Sequence, residues 1–127
     1  TEAGIKGEPK FVVVNYAKPT NIQAFVDENK NLWKPFFEKE QKNGFKLNGW
    51  GLQTVVYPQG NDVPFSALTW DGFTKISEAL DHIQYRPSSQ TRFAPILKDS
   101  KMSTITPNGF ELSPIYELVM YVDASTK

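Results

Sequence analysis

The sequence has 127 residues, balances 14 Lys+Arg against 14 Asp+Glu for a net charge of zero, and is 13% aromatic. That length suits one domain around a single core, and the balance lacks the basic excess that draws proteins to nucleic acid or anionic membranes. With no cysteine in the chain, disulfides, thiolate nucleophiles and sulfur-ligated metals are excluded.

The chain opens on Thr1 rather than Met, and residues 1–9 are Gly- and charge-containing. They read as a flexible lead-in of the kind that follows a cleaved signal, so export is the expectation, with the cytoplasm as the other compartment. Phe11–Ala17 is β-branched and aromatic between Pro9 and Pro19. Being apolar on both faces, it predicts a strand covered on both sides. Thr20-Asn21-Ile22-Gln23 has the form of a capping box. The helix it opens carries Ile22, Phe25, Val26, Leu32, Trp33, Phe36 and Phe37 at helical spacing and stops at Gly44. Pro35 lies inside this helix and removes the bond to the Asn31 carbonyl, which predicts a kink or a break. Asn29 shares the stripe of Phe25, Val26 and Trp33. A polar residue there either satisfies a buried partner or faces a cavity.

From Lys46 the period becomes two, with Trp50, Leu52, Thr54 and Val56 on one face. The glycines flanking Trp50 predict a bulge or a close approach to the backbone. Residues 58–62 form a turn, and 65–70 return as the hairpin partner. Asp71 is the expected N-cap of a second helix whose core face is Phe73, Ile76, Leu80 and Ile83 and which ends before Pro87. Residues 87–114 are irregular and rich in Ser, Thr and Pro, with a helical turn at 94–98 and a tight turn at Asn108-Gly109. A last strand, 115–122, is again apolar on both faces. No repeat or linker divides the chain, so residues 1–127 read as a single domain. No run approaches the roughly 20 apolar residues of a membrane span.

The order β-α-β-β-α-β predicts an α+β, ferredoxin-like protomer, an antiparallel sheet with two helices on one face. Its own helices cover one sheet face only, yet the first and last strands are apolar on both. A second copy is the simplest cover, so a homodimer is expected. In this order, in the first helix bearing Trp33-Lys34-Pro35, and in Gly49-Trp50 opening the second strand, the chain resembles the dimeric α+β barrel superfamily. The resemblance spans residues 10–86 and 113–123. It implies protomers paired through their sheets and a ligand held between sheet and helices. Residues 87–114 exceed the superfamily's usual link, a length suited to crossing the dimer or lidding a pocket.

The superfamily includes cofactor-independent monooxygenases and haem-degrading enzymes. In the latter, an Asn on the first strand works with a Trp and a His on the second helix. Asn15 and His82 match two of these positions in kind, but the second helix contains no Trp, which argues against haem. His82 is the only histidine and follows Glu78 by four residues. Away from the Phe73–Ile76–Leu80 face, it is expected as an exposed ring beside Glu78. One His cannot build a His-rich metal site, and no H-E-x-x-H spacing occurs, so neither metal nor cofactor is expected. There is no G-x-S-x-G elbow around Ser66 or Ser77 and no glycine-rich phosphate loop. Asp27, Glu28, Glu38 and Glu40 lie near lysines and read as solvated helix surface.

Asn15, Asn29, Trp33, Trp50 and Trp70 remain as candidates for one ligand-binding cavity between sheet and helices. A buried indole N–H needs an acceptor, which Asn29 or Asn15 could supply. The leading expectation is a protein that binds an apolar or aromatic small molecule in an aromatic-lined pocket. The alternatives are a cofactor-independent monooxygenase-like enzyme using that pocket, and a dimeric structural module without ligand, whose interior would be solidly filled.

Overall fold

The computed structural model describes residues 2–5, 9–44, 46–60, 62–83 and 96–120. Five strands, β1 (Glu2–Ile5), β2 (Phe11–Ala17), β3 (Gly49–Thr54), β4 (Ala67–Phe73) and β5 (Ile115–Glu117), form one sheet in the order β1-β3-β4-β2-β5. Every neighbouring pair is antiparallel. Without β1 the order is that of an α+β, ferredoxin-like sheet. β1 is the departure: residues expected as a flexible lead-in contain a strand that pairs with the outer edge of β3. Backbone pairing along an otherwise open edge accounts for it.

Helix α1 (Ile22–Glu28) passes into a π turn (Asn29–Trp33) and then into α2 (Lys34–Lys42). The cap lies one residue beyond the expected position, because Asn21 Oδ1 accepts the Ala24 amide at 3.0 Å while the Thr20 hydroxyl donates to the Ile105 carbonyl at 3.3 Å. The break expected at Pro35 is the π turn. Pro35 cannot donate to Asn31, and the amide of Lys34 reaches back five residues to the Asn29 carbonyl instead. Gly44, with φ of +88°, ends α2 in the left-handed region that favours glycine.

On β4 the strand runs through Asp71, which pairs with Val13 on one side and Trp50 on the other. Asp71 is therefore a central strand residue and not a helix cap. Helix α3 (Ile76–Ile83) is capped differently: Glu78 Oε1 accepts the Lys75 amide at 3.1 Å. Its buried residue is Ala79, whereas Ile76, Leu80 and Ile83, expected as its core face, are 44%, 38% and 38% exposed. A short helix set close on β2 and β4 seats its small residue against the sheet. Helix α4 (Met102–Ile105) lies in the connection to β5. The last strand is shorter than expected, its neighbours 118–120 lying outside regular structure. The expected helix end near Pro87, residues 87–95 of the irregular segment, the start of the turn at 94–98, and positions 121–122 fall outside the described residues.

The pairing register fixes which side chains share a face. Val13, Asn15, Ala17, Trp50, Leu52, Thr69, Asp71 and Phe73 point toward the helices. There Val13, Phe25, Phe37, Trp50, Leu52, Phe73 and Ala79 join in one buried core. Val12, Val14, Tyr16, Leu68 and Trp70 lie on the opposite face and are half-buried. The close approach signalled by the glycines around Trp50 occurs there, since a Cβ on Gly51 would lie within the indole of Trp70.

Candidate functional site

Between the sheet and the helices lies a cavity of about 650 Å³, within the range of small-molecule sites. Asn15, Trp50, Thr69 and Asp71 form its sheet wall, and Asn29, Trp33, Phe37 and His82 its helical wall. The segment after residue 96 closes it with Met102, Thr106, Phe110 and Ser113 among others. Of the five residues expected to converge, Asn15, Asn29, Trp33 and Trp50 line this one space, and Trp70 does not. Strand alternation separates it: Trp70 lies between Thr69 and Asp71 and so projects from the other face.

The aromatic wall is continuous. The ring of Phe37 stands 6.0 Å from that of Trp33 and 5.7 Å from that of Trp50, both tilted. The indole of Trp33 finds neither expected asparagine. Its Nε1 donates to Glu28 Oε2 at 3.1 Å, because the π turn carries Trp33 back over the end of α1. Glu28, expected as solvated surface, is half-buried. It also accepts from the Ser100 hydroxyl at 3.0 Å and from the Lys101 amide. One carboxylate thus ties the aromatic wall to the closing segment. Thr20, whose amide donates to the Ile105 carbonyl at 2.9 Å, holds that segment a second time.

The polar side of the cavity is an ordered network. Asn15 Nδ2 donates to Thr69 Oγ1 at 3.2 Å and to Asp71 Oδ2 at 3.0 Å, and Asn15 Oδ1 accepts the Ser113 hydroxyl at 2.9 Å. Asn15 therefore organises the wall, its side chain committed to three neighbours. His82 Nε2 stands 3.3 Å from Asp71 Oδ2, with the two side chains 10% and 4% exposed. This corrects the expectation of a solvent-facing ring beside Glu78. Glu78 turns back to cap α3, and the imidazole packs over Phe73 with ring centres 5.1 Å apart. Both described bonds to the Asp71 carboxylate fall on Oδ2; among the described residues no donor reaches Oδ1.

Sequence reading missed Asp71 and His82 as a pair. Polar residues at 69 and 71, alternating with Leu68 and Trp70, carried the signal of a polar stripe on an inward strand face. Reading Asp71 as the N-cap of the second helix ended the strand at Trp70 and concealed it. Among the described residues no group of three or more His, Asp or Glu stands ready to hold a metal, and no helix is long and apolar enough to cross a membrane.

No protein-family model matches the sequence, and neither does any curated protein. Two solved structures share the fold. HapK from Hahella chejuensis aligns with a TM-score of 0.60 at 11% identity, over 90% of this chain and 97% of that one. A protein of the ethyl tert-butyl ether D (EthD) family from Bacillus halodurans C-125 aligns with a TM-score of 0.56 at 15% identity, over 86% of this chain and 97% of that one. Identities this low establish a common α+β fold and nothing finer.

Proposed function

We propose that the cavity takes an apolar aromatic small molecule and that Asp71, backed by His82, removes a proton from it, as the first step of a cofactor-independent, monooxygenase-like reaction. The observation that carries this reading is the buried Asp71–His82 pair in the wall of an aromatic cavity. Asn15 and His82 hold Oδ2, which orients the carboxylate and leaves its other oxygen for a bound molecule. Proton removal leaves the aromatic substrate electron-rich. Dioxygen is the co-reactant: one of its atoms enters the substrate, the other leaves as water, and the substrate supplies the electrons. The resemblance to the dimeric α+β barrels supports this class of chemistry.

The test is turnover of polycyclic phenols and quinols under oxygen, followed by product formation and oxygen uptake. Wild-type protein is expected to turn over at least one of them, Asp71→Asn to lose the activity, and His82→Gln to reduce it. Saturable binding without oxygen uptake across the panel would leave a binding protein instead.

The same reading includes a homodimer. Val12, Val14, Tyr16, Leu68 and Trp70 form an apolar sheet face that none of the described helices covers, and beside it Tyr116, Val119 and Met120 are 47%, 84% and 82% exposed. A second copy of the sheet supplies a matching apolar surface.

A further inference from the structure

We infer that the substrate carries a second hydrogen-bond donor, distinct from the proton taken by Asp71, and that Asn29 selects for it; this rests on the reading of the cavity as a substrate site. Asn29 opens the π turn, lines the cavity and is only 3% exposed. Its Nδ2 donates to the Phe25 carbonyl at 2.8 Å, four residues back. That bond fixes the orientation of the amide and uses one of the two Nδ2 hydrogens, so Oδ1 is the acceptor left open. Among the described residues no donor reaches it.

Asp71 from the sheet and Asn29 from the helices thus line one cavity, and each keeps a side-chain oxygen, Oδ1, that no described donor reaches. A ligand that leaves either of them desolvated and unmatched is penalised, whereas one with O–H or N–H groups at two separate edges satisfies both. The aromatic frame between Trp33 and Trp50 supplies apolar contact without choosing among polar groups. The substrate class is thus an uncharged aromatic diol, or its hydroxy-amine counterpart. A carboxylate at the Asp71 edge would set acceptor against acceptor.

Calorimetric titration of the wild-type protein with 1,5-, 2,6- and 2,7-naphthalenediol, 2-naphthol, 2-methoxynaphthalene and 2-naphthoate tests this. The best-fitting diol is expected to bind about tenfold tighter than 2-naphthol. The methoxy compound and the acid are expected to bind more weakly still. Asn29→Leu, checked for its fold by circular dichroism, should bring the diol and 2-naphthol to equal affinity. Should that variant fail to fold, the wild-type series decides alone. Diols no tighter than 2-naphthol, or a diol preference unchanged in folded Asn29→Leu, would overturn the role of Asn29 and leave the cavity reading standing. No binding by any compound would overturn both.

Discussion

His82 Nε2 and Asp71 Oδ2 face each other at 3.3 Å between α3 and β4, in a place where both side chains are almost out of contact with solvent. Removing the imidazole leaves the carboxylate with Asn15 as its described donor. His82→Ala is therefore expected to lower stability by about 1–3 kcal/mol, the usual penalty for depriving a buried polar group of a partner. Urea unfolding measures it. A loss below about 0.5 kcal/mol, typical of exposed sites, would show that the pair is not coupled.

Gly51 lies under the indole of Trp70, where an added methyl has no room. Gly51→Ala should destabilise by about 1–3 kcal/mol through overpacking. Gly51→Ala combined with Trp70→Leu should recover part of that loss if the clash is the cause. Additive effects in the double variant, again by urea unfolding, would locate the strain elsewhere.

On the open sheet face the hydroxyls of Tyr16 and Tyr116 lie 3.1 Å apart. This hydrogen bond foremost, with burial and the neighbouring phenol's charge adding to it, raises the pKa of Tyr16 above the ordinary phenol value of 10.0. The folded state thus favours protonated Tyr16. Its contribution to stability is complete below the ordinary phenol range and is lost as pH rises through the raised value. Ultraviolet titration should show a late-titrating tyrosine in the wild type that moves toward the ordinary range in Tyr116→Phe. Unchanged curves in the two proteins would refute the coupling.

Val14 sits in β2 at the middle of that same face. The dimer reading predicts that the wild type scatters light as two copies and that Val14→Lys yields monomer or aggregate, because a charge there cannot be desolvated against a second sheet. A wild-type monomer at micromolar concentration would sink the idea.

The strand Phe11–Ala17, the two-residue period through Trp50, the stop at Gly44 and the break ahead of Pro35 were all legible in the sequence. Each rests on local physics: side-chain periodicity, a left-handed glycine, a missing amide hydrogen. The inward placing of Asn29 and Trp33 followed from the helical period, whereas the two-residue period grouped Trp50 with Leu52 and Thr54 and left open which face meets the helices.

The chemistry of the site was decided elsewhere. Asp71 reads locally as a helix cap, but pairing with β2 and β3 holds it extended, and no window of sequence contains those partners. His82 reads as exposed because the larger apolar residues of α3 lie on another face. Close packing on the sheet favoured Ala79, and that rotation carried the imidazole onto Asp71. Trp70 was excluded from the cavity by strand alternation once β4 continued past it, and Glu28 became an anchor only when the segment at 100–101 folded over it. Local propensity governs which residues are extended or helical, whereas contacts between residues 11 and 72 positions apart (His82 with Asp71, Ser100 with Glu28) determine which of them meet.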